Sequence, residues 1–371
     1  MTASATDSTD MLLNEPFVQQ LQKAVCETSS PIQPVGNATK CGLIVADSVS
    51  LIRTNEFQGI ITYDPSEFLI TAKSGTKIAD LADSLSQHGQ YLPFDPLFVQ
   101  AGATLGGTIA SGISGPDRLL YGGARDFIME VALIDGLGRL VRGGGKVVKN
   151  AAGFDTPKLM VGSYGRLGVI IEATLKVFPT PQSHASLLVE HSSLDSALRS
   201  MQKILAKPLP ISSVLIDSQY TICFRVAGPN ASLEAVVQRI ESIVGTAAKS
   251  KVADDITERQ KFIDWIEGPL LENSALVRIG VDPTVVARLN AALNAIGVSS
   301  FYHAGACSVT WVKLPVDKLD GLDTQLMSLG LSGVVVRGSV AAPFIGNCQW
   351  LKMATKIQIA MDPDRRFVPW E

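Results

Sequence analysis

Three short segments of this 371-residue chain combine small residues and hydrogen-bond donors at spacings that could do chemistry. The first is Pro34-Val-Gly-Asn-Ala-Thr-Lys40. Its small side chains would let successive backbone N–H groups form an anion-binding concavity, with the Thr39 hydroxyl and the Lys40 ammonium beside it. An ordinary surface turn is the alternative. The second is Gly102-Ala-Thr-Leu-Gly-Gly107, followed by Ala110-Ser-Gly112 and Gly115. A run so free of side-chain bulk is costly to order, and a ligand lying against its backbone would offset that cost. A helix start with a tight packing seam is the alternative here. The third runs from Lys149-Asn-Ala-Ala-Gly-Phe-Asp155 to Val161-Gly-Ser-Tyr-Gly-Arg-Leu-Gly168-Val-Ile. There a glycine-rich turn feeds a buried strand, so its N–H groups and the strand edge could hold a planar heterocycle.

Other chemistries fail on spacing. Gly138-Arg-Leu-Val-Arg-Gly143 is followed by Gly144, Gly145 and Lys146, then Val147. A phosphate-binding P-loop needs the Lys directly after the second Gly, then Ser or Thr for magnesium. No G-x-G-x-x-G opens a helix after a strand, which disfavours a Rossmann dinucleotide site. Cys26, Cys41, Cys223, Cys307 and Cys348 are scattered, with no C-x-x-C pair. An odd, dispersed count fits a reducing compartment and argues against a disulfide framework, a zinc ribbon or an iron–sulfur cluster in this chain. His88, His184, His191 and His303 have no ligand spacing, so no metal site is expected.

Composition narrows the class further. The chain has 46% hydrophobic and 18% charged residues, with 32 basic against 35 acidic, so no global positive field favours nucleic acid. No stretch reaches the roughly 18 apolar residues of a membrane span, and residues 1–10 lack the order of a signal peptide. A soluble cytoplasmic protein is expected, with membrane contact at most peripheral. Sixteen of the 32 glycines fall between Gly102 and Gly168, and Arg118–Lys176 holds nine basic residues against five acidic. That region pairs backbone freedom with local positive charge, which suits an anionic ligand.

The elements that must position these segments follow from periodicity. Leu13, Phe17, Val18, Leu21 and Val25 predict an N-terminal helix. Gly59–Asp64 and Phe68–Lys73 read as strands, and Thr76–His88 as a helix closed by Gly89. Glu130–Asp135 and Arg139–Arg142 read as a hairpin, and Val169–Phe178 as a long strand ending at Pro179-Thr-Pro181. Beyond it, strands are expected at 214–217, 221–226, 276–281, around 302, at 309–313 and at 333–337. Helices are expected at 233–244, 284–295, 319–329 and 348–359. The alternation suggests an antiparallel sheet covered by helices. The expected organisation is a flexible stretch over 1–10, a first domain over 11–181, an α+β cap over 182–346, and a C-terminal helix and tail over 347–371.

Taken in order, the three segments resemble the FAD-binding domain of the vanillyl-alcohol oxidase / p-cresol methylhydroxylase (PCMH-type) superfamily. Gly144-Gly-Lys-Val-Val-Lys-Asn-Ala-Ala-Gly-Phe-Asp155 with Lys158-Leu-Met-Val-Gly-Ser-Tyr-Gly-Arg-Leu-Gly-Val-Ile170 is more specific. It resembles the GlcE-type family, the smaller FAD-binding subunits of glycolate oxidase (glycolate dehydrogenase). Gln90–Pro96, Gly115-Pro-Asp-Arg118, Tyr121-Gly122 and Arg125-Asp126 agree with that family. The likeness is strong from about Val35 to Pro181, weaker over the cap, and returns at Met361-Asp-Pro363 and Phe367-Val-Pro369.

The resemblance implies an α+β fold, with a PCMH-type FAD-binding domain of two α+β subdomains followed by a smaller antiparallel-sheet-plus-helices cap. Val35 and the loop Gly36, Asn37, Ala38, Thr39 and Lys40 would bind the FAD pyrophosphate. Gly102, Ala103, Thr104, Leu105, Gly106 and Gly107, with Ala110, Ser111 and Gly112, would line the pyrophosphate and flavin. Gly153 would join them, and Gly168, Val169 and Ile170 would hold adenine through backbone contacts. Asn37 and Ala38 stand where relatives carry glycine, and Asn tolerates a left-handed backbone better than most residues, so weaker FAD binding is expected. Asn37-Ala38-Thr39 offers neither the His nor the Cys of covalently flavinylated relatives, so FAD is expected to be non-covalent.

The family also implies partners: a larger FAD-containing catalytic subunit that oxidises a small 2-hydroxy acid, glycolate to glyoxylate, and an iron–sulfur subunit that takes the electrons. Two other readings stay open. One is a self-sufficient 2-hydroxy-acid dehydrogenase using His303, Arg278 or Arg337 as its catalytic groups. The other is an assembly subunit holding FAD poorly or not at all.

Overall fold

In the computed structural model, which describes residues 11–44, 49–145, 154–245 and 249–370, two antiparallel sheets organise the chain. The first lobe opens with helix α1 (Pro16–Glu27), whose proline sits in the first turn, where a missing N–H costs nothing. Val18, Leu21 and Val25 form its buried stripe. Strand β1 (Ile32–Val35) pairs in parallel with β2 (Ser50–Arg53). Then come β3 (Ile60–Asp64), β4 (Leu69–Lys73), helix α2 (Ile78–Ser86), β5 (Gln90–Tyr91) and the short helices α3 (Leu105–Ser111), α4 (Arg118–Tyr121) and α5 (Ala124–Phe127). Strands β6 (Ile128–Ile134) and β7 (Leu140–Gly144), helix α6 (Thr156–Met160), β8 (Val169–Lys176) and β9 (Phe178–Pro179) complete the lobe. The five-stranded sheet runs β3-β4-β8-β6-β7.

Strand β8 lies at its centre, with every residue but Lys176 buried. Val169 and Ile171 pack towards α1, while Ile170, Ala173 and Leu175 face the larger core. Burial on both faces explains why apolar residues stand side by side at Val169, Ile170 and Ile171 rather than alternating; the run breaks at Glu172, which pairs with Arg142.

The second lobe alternates strands and helices: β10 (Ser183–Glu190), α7 (Leu194–Leu205), β11 (Ile211–Asp217), β12 (Ile222–Gly228), α8 (Asn230–Val244), β13 (Lys249–Ala253) and α9 (Asp255–Glu267). It continues with β14 (Ser274–Gly280), α10 (Val286–Ala295), β15 (Ser300–Ala304), β16 (Val309–Pro315), α11 (Leu319–Leu329), β17 (Ser332–Arg337) and β18 (Phe344–Gly346). These strands form one sheet ordered β13-β10-β12-β11-β15-β16-β14-β17-β18. Alternation decides its two faces. Ala275, Val277 and Ile279 of β14 join a core with α7, α8, α10 and α11. Leu276, Trp311 and Val336 point the other way and share a core with α9 and the first lobe.

Helix α12 (Leu351–Met361) and the tail return to the first lobe. The Ile32 N–H donates to the Arg366 carbonyl at 2.7 Å and the Val368 N–H to the Ile32 carbonyl at 3.0 Å. The tail therefore holds the very strand that delivers the first glycine loop.

Candidate functional site

The segments singled out in the sequence converge on one cleft. Strand β1 delivers Val35 and the loop Gly36–Lys40 to one wall. Thr104, Gly106, Gly107, Ala110 and Ser111, at and along α3, form the second. The turn before β8 supplies the third, with Tyr164, Gly165, Gly168 and Ile170.

Backbone geometry explains the residue types. A Cβ at Gly36 would overlap the Thr104 hydroxyl, and one at Gly106 would come within 2.9 Å of the Ser74 Cβ. Thr104 caps α3, its Oγ1 accepting the Gly107 N–H at 3.3 Å. The Tyr164 N–H donates to the Ala110 carbonyl at 2.8 Å, which ties the second wall to the third. One expectation is corrected in the first loop. The left-handed residue is Ala38, at φ 55°, and Asn37 instead spends its side-chain amide on the Gly102 carbonyl.

Gly102, Ala103, Leu105, Gly112 and Val169 do not line the cleft; they build its supports. Gly102 accepts the Asn37 bond, and the Ala103 carbonyl accepts the Ile78 N–H at 2.8 Å. Leu105 and Val169 are core residues. Gly112 closes α3 in the left-handed region, where a Cβ would press on the Gly162 backbone. Gly153 lies outside the described residues. Gln33, Leu43, Ile44 and Thr54 line the cleft without having been expected. Their residue types carry no chemical signal; only their position on β1 for Gln33, after β1 for Leu43 and Ile44, and after β2 for Thr54 could point to them.

The three catalytic candidates separate. His303 is fully buried on β15, its Nδ1 2.8 Å from the Thr310 hydroxyl and its ring against Phe301, so it belongs to the cap core. Burial pushes its pKa down to about 4. Arg337 is structural: its Nη1 donates to the carbonyls of Ile266, Glu267 and Gly268 at 3.2, 2.9 and 2.8 Å and so caps the C-terminus of α9. Arg278, on the β14 face turned to the first lobe, has a buried Nε with no hydrogen-bond partner. Burial lowers its pKa, and the Tyr164 phenol, a cleft residue, acts against that shift.

A second, larger cavity of about 430 Å³ lies between the lobes, lined by Tyr91, Tyr121, His184 and Gln260 among others. It contains none of the residues expected to bind a cofactor. Its charges pair with one another across the lobes. Arg259 donates to Asp95 at 2.7 Å, while Arg225 binds Asp255 twice at 2.8 Å and also reaches Asp117. Burial, then Asp95, push the Asp117 pKa up to about 6, against the pull of Arg225 and Arg259. Burial, then Arg225, hold His184 down at about 4.

Residues 14–144 match the family described as FAD binding domain. Over these residues the chain is similar to that domain. Its first two cleft walls lie within the matched residues, and the third follows at Tyr164–Ile170. The glycolate oxidase subunit GlcE of Escherichia coli K12 is 35% identical over 60% of this chain and 63% of its own length. The chain therefore spans just under two thirds of that relative. Subunit GlcD of Bacillus subtilis 168 is 25% identical over 79% of this chain and 69% of its own length. Among solved structures, an alkyldihydroxyacetonephosphate synthase superposes with a TM-score of 0.70 over 96% of this chain and 74% of that one. At 16% identity that likeness establishes the α+β fold alone.

The residues present fit FAD. Lys40 is almost fully buried at the cleft, and among the described residues it forms no salt bridge. Its Nζ reaches only the Thr39 hydroxyl, at 3.4 Å, and lies 5.1 Å from the centre of the Phe98 ring. Burial lowers its pKa to about 8, and Glu267 opposes that fall. A buried cation with no salt-bridge partner among the described residues, between glycine walls that admit a ligand's backbone-scale approach, suits a pyrophosphate.

Proposed function

We propose that the chain is the FAD-binding subunit of a 2-hydroxy-acid dehydrogenase, acting on glycolate, that holds FAD non-covalently. In this reading it works beside a larger FAD-containing catalytic subunit and hands electrons to an iron–sulfur subunit, at the cytoplasmic side. The observation that carries the reading is the convergence of three glycine-bearing segments on a cleft containing the buried Lys40, which has no salt bridge among the described residues. Similarity to two glycolate oxidase subunits, GlcE and GlcD, supports the substrate class and the multi-subunit setting.

Bound FAD supplies a two-electron acceptor for the hydrogen leaving the carbon that bears the hydroxyl. The chain supplies position and charge. Lys40 and Thr39 would neutralise and bind the pyrophosphate, while Gly36, Gly106 and Gly107 let it approach the backbone. Thr104 fixes where α3 begins, and the Tyr164–Ala110 bond keeps the far wall in register. The apolar face of the second-lobe sheet, with Trp311 and Leu276, excludes water from the first lobe. Among the described residues no His or Cys lines the cleft, and Cys41 is exposed, which favours non-covalent binding.

Arg278 favours a second reading, a self-sufficient dehydrogenase, because a guanidinium whose buried Nε has no hydrogen-bond partner could hold a substrate carboxylate. Anaerobic glycolate added to the FAD-loaded chain separates the two. The subunit reading predicts no bleaching until partner subunits are added; bleaching by glycolate alone would establish the second.

A further inference from the structure

Helix α9 of the second lobe ends on Glu267, whose carboxylate enters the first lobe. Its Oε1 accepts the Phe98 N–H, and the amides of Val99 and Ala101 face the same group. Phe98 stands at φ 64°, a costly conformation for an aromatic residue that must be held by its surroundings. Its carbonyl accepts the Ala103 N–H at 2.9 Å, and the Gly102 N–H donates to the Val99 carbonyl at 3.0 Å. This turn supports two cleft residues from behind: the Phe98 ring lies beneath the Lys40 ammonium, and the Gly102 carbonyl anchors Asn37. Glu267 Oε2 is buried without a hydrogen-bond partner. Among the described residues, Glu267 is the charged group that acts on Lys40. Arg337 fixes the carboxylate's origin by capping α9.

We propose that Glu267 is a positioning residue for the FAD site: it holds the turn 98–102 in place and keeps Lys40 charged, so that docking of the second lobe sets FAD affinity. This rests on the reading that the cleft binds FAD. The sign follows from charge. Removing the carboxylate leaves burial unopposed, so Lys40 loses its proton at lower pH. A neutral Lys40 binds a pyrophosphate less well, so the loss must appear at high pH and vanish at low pH.

Two measurements on the full chain test it. The first follows the titration of Lys40 by NMR of labelled lysine side chains in FAD-free protein, wild type and Glu267→Gln, with Lys40→Arg assigning the signal. The second is FAD affinity between pH 6 and 9.5, read from flavin fluorescence. Glu267→Gln should lower the Lys40 midpoint and weaken FAD binding progressively above about pH 7, several-fold by about pH 8 to 9. At pH 6 the two proteins should bind FAD alike, because the amide oxygen of the variant still accepts the Phe98 N–H and holds the turn. An unchanged Lys40 midpoint, or equal weakening at every pH, would overturn the proposal. A wild-type chain that binds no FAD even at pH 6 would overturn the cofactor reading itself, and the Lys40 midpoint would still show whether Glu267 governs that lysine.

Discussion

The side-chain amide of Asn37 donates to the carbonyl of Gly102 at 2.7 Å, joining two loops 65 residues apart into one wall of the cleft. At this position a glycine would have supplied backbone freedom; asparagine supplies a crosslink. The freedom is needed one residue later, at Ala38.

Ala38 at φ 55° carries the strain of a left-handed residue with a side chain. Ala38→Gly should stabilise the chain by about 0.5–1 kcal/mol, the left-handed penalty less the added freedom of the unfolded chain. Urea midpoints at constant slope would measure it. Destabilisation would show that the Ala38 methyl makes contacts worth more than the strain.

Gly36 faces Thr104 so closely that no side chain fits. Gly36→Ala should weaken FAD binding at least tenfold and cost about 1–3 kcal/mol of stability through overpacking. Gly36→Ala combined with Thr104→Ala should recover part of the affinity, because the partner of the clash is gone. Strictly additive losses in a double-mutant cycle would rule out that contact as the cause.

Arg225 bridges Asp117 of the first lobe and Asp255 of the second, all three largely buried. Arg225→Ala removes the ion-pair partner of Asp255 and leaves Asp117 only Arg259, at 3.6 Å, and should destabilise the chain by about 3–5 kcal/mol. The thermal transition should drop, and Asp117 should titrate even further above its usual range. A loss below about 1 kcal/mol would mean that solvent already screens the pair.

His303 predicts the acid limb of stability. Its folded-state pKa, about 4, lies below the unfolded value of 6.5. The unfolded chain therefore binds the extra proton as pH falls from 6.5 towards 4, and stability drops through that window by about 3 kcal/mol. His303→Gln should flatten this limb while leaving FAD binding unchanged. Loss of FAD from His303→Gln at neutral pH would place this residue in the site after all.

Legibility followed residue type. Gly36, Gly106 and Gly168 are readable because close backbone approach or unusual φ demands glycine, and β8 because β-branched residues cluster at Val169–Ile171 of a strand buried on both faces. Arg337 and His303 were ambiguous, since a charged or imidazole side chain on a strand can serve a site, a helix end or a core equally well. Strand β10 and helices α7 and α9 were not expected. In α9 the apolar residues Phe262, Ile263 and Ile266 crowd into its second half, which blurs the helical period. Its capping signal was present: the Asp254 carboxylate accepts the Thr257 N–H at 2.9 Å, with Asp255 and Glu258 in the first turn. That helix carries Arg259 and Glu267, so missing it also hid how the second lobe reaches the cleft.

The absorption spectrum of the full chain after incubation with FAD and removal of the excess, taken before and after denaturation, tests the central claim most directly. A non-covalent site in this cleft gives a bound flavin spectrum that is wholly released on denaturation and is largely absent in Gly36→Val. A protein that retains no flavin, a flavin that stays attached after denaturation, or undiminished retention by Gly36→Val would contradict a non-covalent FAD site in this cleft.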